Sequence, residues 1–359
     1  MKKQLLAIAV LGALAAPAFA ADSTVTLYGK LNMGFESFDN GVLKTTRVQD
    51  NTSYFGFKGE EDLGDGLKAW FQIENKIGTD DSNAGAFASR NSAVGLKGDF
   101  GTVLLGRWDT PFKVIKKNLD IMDGPAEQME ALMHQDQSSK LSYHTRQDNV
   151  VQYWSPNFSG FQARISYSPD EVKTDAVPGK ASAKNNNRIS VSGDYTLGGL
   201  NIGAAYETRK DDNAVTANGV TNYYDSNAWR VTGSYSFDDT TVGLGYVKLE
   251  RDNAAGTPKL SRPAWTATVQ QKFGNAKVML AYADAKEDLD NAQNGAKMWS
   301  LEGEYALSKR SAVYGYYSAI NNQAKGNYGF KNQNSATGSA PAAAGMDVKI
   351  IGVGVRHSF

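Results

Sequence analysis

The chain has 359 residues, 38 basic and 38 acidic side chains, and no cysteine. Balanced charge excludes a global electrostatic pull toward nucleic acid or an anionic surface, and the missing thiols exclude a disulfide framework and thiolate chemistry. Past the N-terminal segment no window of about 18 uninterrupted apolar residues occurs, which excludes membrane-spanning helices but not a barrel that crosses with strands.

At the start, Lys2 and Lys3 precede an apolar run from Leu5 to Ala16, and Ala18-Phe19-Ala20 supplies small residues at a cleavage site. This is the pattern of a secretory signal peptide over 1–20, too short and wrongly flanked for a span, and it leaves 21–359 as one exported barrel domain. The next stretch alternates. Val25, Leu27, Leu31, Met33 and Phe35 share one strand face, while Thr24, Thr26, Tyr28, Lys30, Asn32 and Glu36 share the other. A lysine against lipid at mid-membrane costs roughly 2–4 kcal/mol, so Lys30 is expected to face water inside. Further on, Leu67, Ala69, Phe71 and Ile73 oppose Lys68, Trp70, Gln72 and Glu74 in the same manner. Tyr54, Lys58, Glu74 and Arg90 are accordingly expected to face the lumen.

Connections switch regularly between tight and long, the asymmetry of a membrane barrel with short periplasmic turns and longer outer loops. The tight turns fall at Asp62–Gly66, Gly98–Gly101, Pro156–Gly160, Gly198-Gly199, Asp238-Asp239, Gly274-Asn275 and Ser308-Lys309. Between them, polar stretches near 39–47, 79–88, 109–141, 171–187, 211–225, 251–261, 287–296 and 321–345 predict long loops. These connections join about sixteen antiparallel strands, an even number that closes with both termini on the periplasmic side and leaves an aqueous channel.

One loop stands out. From Trp108 to Lys140 it carries Asp109, Asp120, Asp123, Glu127, Glu130 and Asp136 together with Pro111, Phe112, Val114, Ile115, Leu119, Ile121 and Met122. Its apolar residues give it a way to pack on a wall, and its carboxylates would then face the basic residues there. Rings near strand ends, Tyr153, Trp154, Phe158, Phe161, Tyr235, Phe237, Tyr305, Tyr314, Tyr316 and Phe359, are expected at the headgroup boundary. The terminal run Ile351 to Phe359 again alternates, as a closing strand would, and Phe359 is expected to engage the barrel-assembly machinery.

The blocks Leu27-Tyr28-Gly29-Lys30, Gly56-Phe57-Lys58-Gly59-Glu60, Val94-Gly95-Leu96-Lys97-Gly98, Leu105-Gly106-Arg107, Tyr153-Trp154-Ser155-Pro156-Asn157-Phe158-Ser159-Gly160-Phe161 and the terminal Phe359 resemble the general diffusion porins of Gram-negative outer membranes. The resemblance covers essentially the whole mature chain. It implies an all-β fold: a homotrimer of 16-stranded antiparallel barrels, each with its third outer loop folded into the lumen as an eyelet. It further implies wall cations at Lys30, Arg107 and Arg146 facing loop acids, here Asp123 and Glu127. Where many relatives have an arginine, this chain has Tyr54. Losing that cation is expected to weaken the transverse field and shift preference toward cations, unless Lys58, Lys97 or Arg90 compensates.

Enzymatic readings have little material. His134, His144 and His357 are the only histidines, no paired metal-ligand spacing or phosphate loop occurs, and no cofactor or metal is expected. Lys116-Lys117 is too small a patch for nucleic acid. The expected function is a water-filled passage for small hydrophilic solutes and ions, set in outer-membrane lipid. Alternatives are a more substrate-selective channel, or a non-conducting barrel serving as an adhesin or structural protein.

Overall fold

The computed structural model describes residues 24–80, 86–116, 119–122, 129–134, 142–252, 260–288, 292–330 and 339–359; the expected signal peptide lies outside them. Seventeen strands follow one another: β1 (Thr24–Asp39), β2 (Lys44–Asp50), β3 (Tyr54–Gly64), β4 (Leu67–Lys76), β5 (Ser92–Gly98), β6 (Gly101–Asp109), β7 (Arg146–Trp154), β8 (Phe161–Ser168), β9 (Arg188–Leu197), β10 (Leu200–Ala217), β11 (Val220–Phe237), β12 (Thr240–Arg251), β13 (Leu260–Phe273), β14 (Ala276–Ala285), β15 (Ala296–Ala306), β16 (Ser311–Asn322) and β17 (Val348–Ser358). Each pairs antiparallel with its neighbours, and β17 returns to β1 from Lys30↔Ser358 to Asp39↔Lys349. Both β2 and β3 pair with β1, so they form one stave broken at 51–53, and the sheet closes as a barrel of sixteen staves.

The break is held by side chains that replace the lost ladder. Asn51 N donates to the Asn32 carbonyl at 2.8 Å, Asn32 N donates to Ser53 Oγ at 3.0 Å, and Asn32 Nδ2 donates to the Asn51 carbonyl at 3.0 Å. Thr52 takes up a positive φ of 66° in the middle. Every buried backbone donor needs such a partner inside a membrane.

Alternation sets inside against outside. On β11, Trp229, Val231 and Tyr235 are exposed, while Arg230, Thr232 and Ser234 are buried. On β1, Val25, Leu27, Leu31 and Phe35 are exposed, and Asn32 and Glu36 are buried on the opposite face. A sheet whose greasy face is outermost and whose polar face is enclosed inverts the soluble pattern. Short turns join the strands at all seven predicted places.

Two predicted long loops are hairpins instead. The stretch at 39–47 holds only a four-residue turn before β2 starts at Lys44, and at 211–225 β10 and β11 run on to a turn at Asn218-Gly219. Both are polar, because backbone pairing beyond the lipid needs no apolar face. Among the rings expected at the membrane boundary, Tyr314 and Tyr316 are buried and inward: Tyr314 donates to Asn32 Oδ1 at 2.6 Å, and Tyr316 to the Glu36 carboxylate. Trp154 also points inward.

Candidate functional site

The first wall cluster forms where β3 resumes after the break. Tyr54 opposes Lys30 of β1 in register, and Arg90, from the connection after β4, lays its guanidinium over the Tyr54 ring, 4.6 Å from the centroid. The Lys30 ammonium reaches the same ring at 5.7 Å. Arg90 Nε pairs with Glu74 Oε1 at 2.5 Å, Tyr28 Oη donates to Glu74 Oε2 at 3.1 Å, and Lys58 lies 5.3 Å from the Tyr28 centroid. Two tyrosines therefore seat three cations. An aromatic face attracts a cation without cancelling its charge, so with Glu74 offsetting Arg90 the cluster still carries an excess of positive charge. The position where a wall arginine was missed in the sequence is thus served by Arg90 stacked on Tyr54.

Beside it lies a second cluster. Arg146, the first residue of β7, donates from Nε to Asn91 Oδ1 at 2.9 Å and lies 3.3 Å from Asp109 Oδ1. Lys113 reaches Asp109 at 2.8 Å, and Asn91 Nδ2 donates to its other oxygen at 3.1 Å. The acid that meets Arg146 is therefore Asp109, at the root of the long connection; Asp123 and Glu127 lie outside the described residues. Arg107 stands apart at the register shift between Gly106 and Trp108, donating to the Ser89 carbonyl at 3.2 Å and pairing with Asp148. Lys97 pairs with Glu60 nearer the short turns.

The long connection begins with a one-turn helix, α1 (Pro111–Val114), capped by Thr110, whose side chain accepts from Lys113 N at 3.2 Å. Threonine at the cap and proline at the first helical position make Thr110-Pro111 a local start signal. From there the connection is tied to the inward face of β9–β13. Phe112 N donates to Ser190 Oγ at 3.0 Å, Arg230 Nη1 donates to the Phe112 carbonyl at 3.0 Å, and Thr232 Oγ1 donates to the Ile115 carbonyl at 3.0 Å. Farther along, a π turn at Met129–Met133 presents the Met133 carbonyl to Arg262 Nη2 at 3.5 Å, and Tyr143 Oη donates to Ser226 Oγ at 2.7 Å.

Packing accompanies these bonds. Phe112, Leu119, Leu132 and Met133 are fully buried against Val247, Leu249, Ala264, Met279 and Ala283 of the inward wall. Each such side chain contributes about 1.5–3 kcal/mol, so the segment is held by apolar contact as well as by Arg230 and Arg262. His134 and His144 stack at 4.8 Å between centroids beneath it. Burial holds the His134 imidazole well below the ordinary histidine range, and Arg230 adds to the effect; for His144, burial and then Lys116 do the same. Sequence reasoning passed over Arg230 and Arg262, since a wall residue that grips a loop looks like any other inward polar residue of its strand.

Comparisons with known proteins agree with a closed antiparallel barrel. A family model described as Gram-negative porin matches residues 7–325. The chain belongs to that family. It is an outer-membrane porin, similar over the full length of both chains to outer membrane porin protein 32 of Delftia acidovorans, at 29% identity. Major outer membrane protein P.IB of Neisseria lactamica is 29% identical over 87% of this chain and 91% of its own length. Among solved structures, an anion-selective porin from Comamonas acidovorans superposes with a TM-score of 0.78 at 25% identity, over 94% of this chain and all of the other. OmpT of Vibrio cholerae in a trimer form shares the fold, with a TM-score of 0.68 at 18% identity over 94% of this chain and all of its own.

Proposed function

We propose that this porin is a water-filled channel for passive diffusion of small hydrophilic solutes and ions, narrowed by the connection between β6 and β7 and biased toward anions. The observation that carries the reading is the seating of Lys30, Lys58 and Arg90 on tyrosine faces opposite the packed connection. Arg146 belongs to the same rim, with Asp109 as its acidic counterpart; Asp123 and Glu127 would add further acid from the connection. Arg107 supports the rim from its bulge. The solved relative described as anion-selective agrees with the sign.

A homotrimer is proposed by analogy with the trimer form of a structural relative, and Phe359 is proposed as the residue shown to the assembly machinery. Salt-gradient recordings in planar bilayers test the function: the zero-current potential is expected to carry the sign of anion preference. An opposite sign refutes the bias, and a trimer is checked by migration of unheated samples in mild detergent.

A further inference from the structure

Six tryptophans serve two different purposes in this barrel. Trp229, Trp265 and Trp299 lie on the outward face, Trp229 against Tyr246 and both Trp265 and Trp299 against Tyr282. Such rings belong at the lipid boundary, where an indole keeps one edge wet. Trp70 of β4, Trp108 near the end of β6 and Trp154 at the end of β7 do the reverse. They gather inside the barrel with centroids 5.6 Å (Trp70 to Trp108), 6.3 Å (Trp70 to Trp154) and 5.7 Å (Trp108 to Trp154) apart. Neither lipid anchoring nor passive diffusion calls for them.

Their seats are built. Trp70 lies across Gly95, where a Cβ would come within 2.7 Å of the indole nitrogen, so glycine lets the ring lie close to the wall. Trp154 Nε1 donates to Gln152 Oε1 at 3.1 Å. All three rings keep part of their surface open, and they border a cavity of about 420 Å³ whose rim carries Lys58, Lys97 and Glu60. Because Lys97 already pairs with Glu60, Lys58 leaves the rim with one more cation than anion. The cavity sits toward the short turns, past the Tyr28 and Glu74 level, where a solute arrives after the constriction.

We propose that this cavity is a solute subsite for ring-bearing carboxylates: a planar ring stacks on the open indole faces while its carboxylate meets Lys58 and Lys97. The assignment deepens the channel reading and rests on it. Flat apolar faces select a ring, since aromatic pairs at these spacings gain energy beyond simple burial, and the lysines select an anionic group over a neutral one. A subsite of this kind would retain such solutes briefly on their way through, raising their local concentration in the lumen.

The test uses the full chain in planar bilayers, with the chloride current followed while benzoate, acetate, benzyl alcohol or glucose is added at matched ionic strength. Benzoate is expected to block saturably at about tenfold lower concentration than acetate. Trp154→Ala is expected to remove most of that advantage and Trp154→Phe to keep part of it, while Lys58→Gln levels benzoate with benzyl alcohol. Equal block by acetate or glucose, or full benzoate block in the Trp154→Ala channel, overturns the proposal. Tryptophan emission of the same protein in detergent, titrated with benzoate, reports binding apart from conduction. A saturable change lost in Trp154→Ala upholds the subsite even where no current flows, and no change refutes it.

Discussion

Phe359 closes the barrel against Gly29. Its amide donates to the Gly29 carbonyl and its carbonyl accepts from the Gly29 amide, both at 3.1 Å, and its ring occupies the space a Cβ at position 29 would need. The Tyr54 carbonyl stands 2.8 Å from the same point, so a side chain at 29 meets backbone on one side and a ring on the other. Gly29→Val is expected to cost about 1–3 kcal/mol through overpacking, and Phe359→Ala less, because the main-chain pair survives. Heat-modifiable electrophoresis measures both, with the valine variant expected to lose its folded form at the lower temperature.

Removing a rim cation is expected to shift selectivity toward cations. A unit charge about 6 Å from a permeant ion acts with about 0.7 kcal/mol in water, equivalent to about threefold in relative permeability. Arg146→Gln is expected to show that shift, leaving Asp109 to Lys113. Arg90→Gln is expected to do the same and to leave Glu74 with Tyr28 alone. Zero-current potentials in a salt gradient read out both.

The packed connection is expected to loosen if its floor is raised. At Gly245 a Cβ would come within 2.6 Å of Leu119 Cδ1, and Gly245→Val extends that pressure while leaving the β11–β12–β13 ladder in place. The expected result is more frequent current fluctuation and faster proteolysis within 110–145, with the barrel still folded. Loss is expected at about 1–3 kcal/mol for the docked segment.

Acid is expected to act on the same segment. Both His134 and His144 are held neutral by burial beside cations, so the docked form takes up protons only well below the ordinary value of about 6.5, whereas an undocked form takes them up near it. The undocked form binds more protons in that window. Docking is therefore at full strength above about pH 6.5 and weakens as pH falls, by at most about 1.4 kcal/mol per pH unit for each ring. Proteolysis of the segment between pH 7.5 and 4.5 is expected to accelerate, and to lose that dependence in a His134→Asn, His144→Asn double variant.

Much of the barrel was legible because membrane strands repeat one rule. Val25, Leu27, Leu31 and Phe35 could face only lipid once Lys30 and Glu36 were given water, and glycine-rich turns marked the short ends. Polar strand extensions at Lys44 and at 211–217 carried no such rule, since cross-strand backbone pairing above the lipid leaves side chains unconstrained. Tyr314 and Tyr316 looked like boundary rings but serve as donors to Asn32 and Glu36, reaching across β17 to a strand that only barrel closure brings near.

The rim was partly legible for the same reason. Parity and resemblance singled out Lys30, Lys58, Glu74 and Arg146, and the structure gives Lys30 the Tyr54 ring, Lys58 the Tyr28 ring, Glu74 the Arg90 guanidinium and Arg146 the Asp109 carboxylate. Asp109 as partner of Arg146, and Tyr54 as a seat for Arg90, depend on how residues far apart in the chain fold back on one another, which no local pattern encodes. The grip of Arg230 and Arg262 on carbonyls of the connection belongs to the same class of relationship.

Solute flux through the folded protein tests the whole account most directly. Liposomes carrying the purified porin, placed in sugars of graded size, are expected to admit small sugars rapidly and to slow progressively as solute size approaches the width left by the packed connection. Vesicles that stay tight to the smallest sugar, with the protein folded in their membranes, would contradict a water-filled passage.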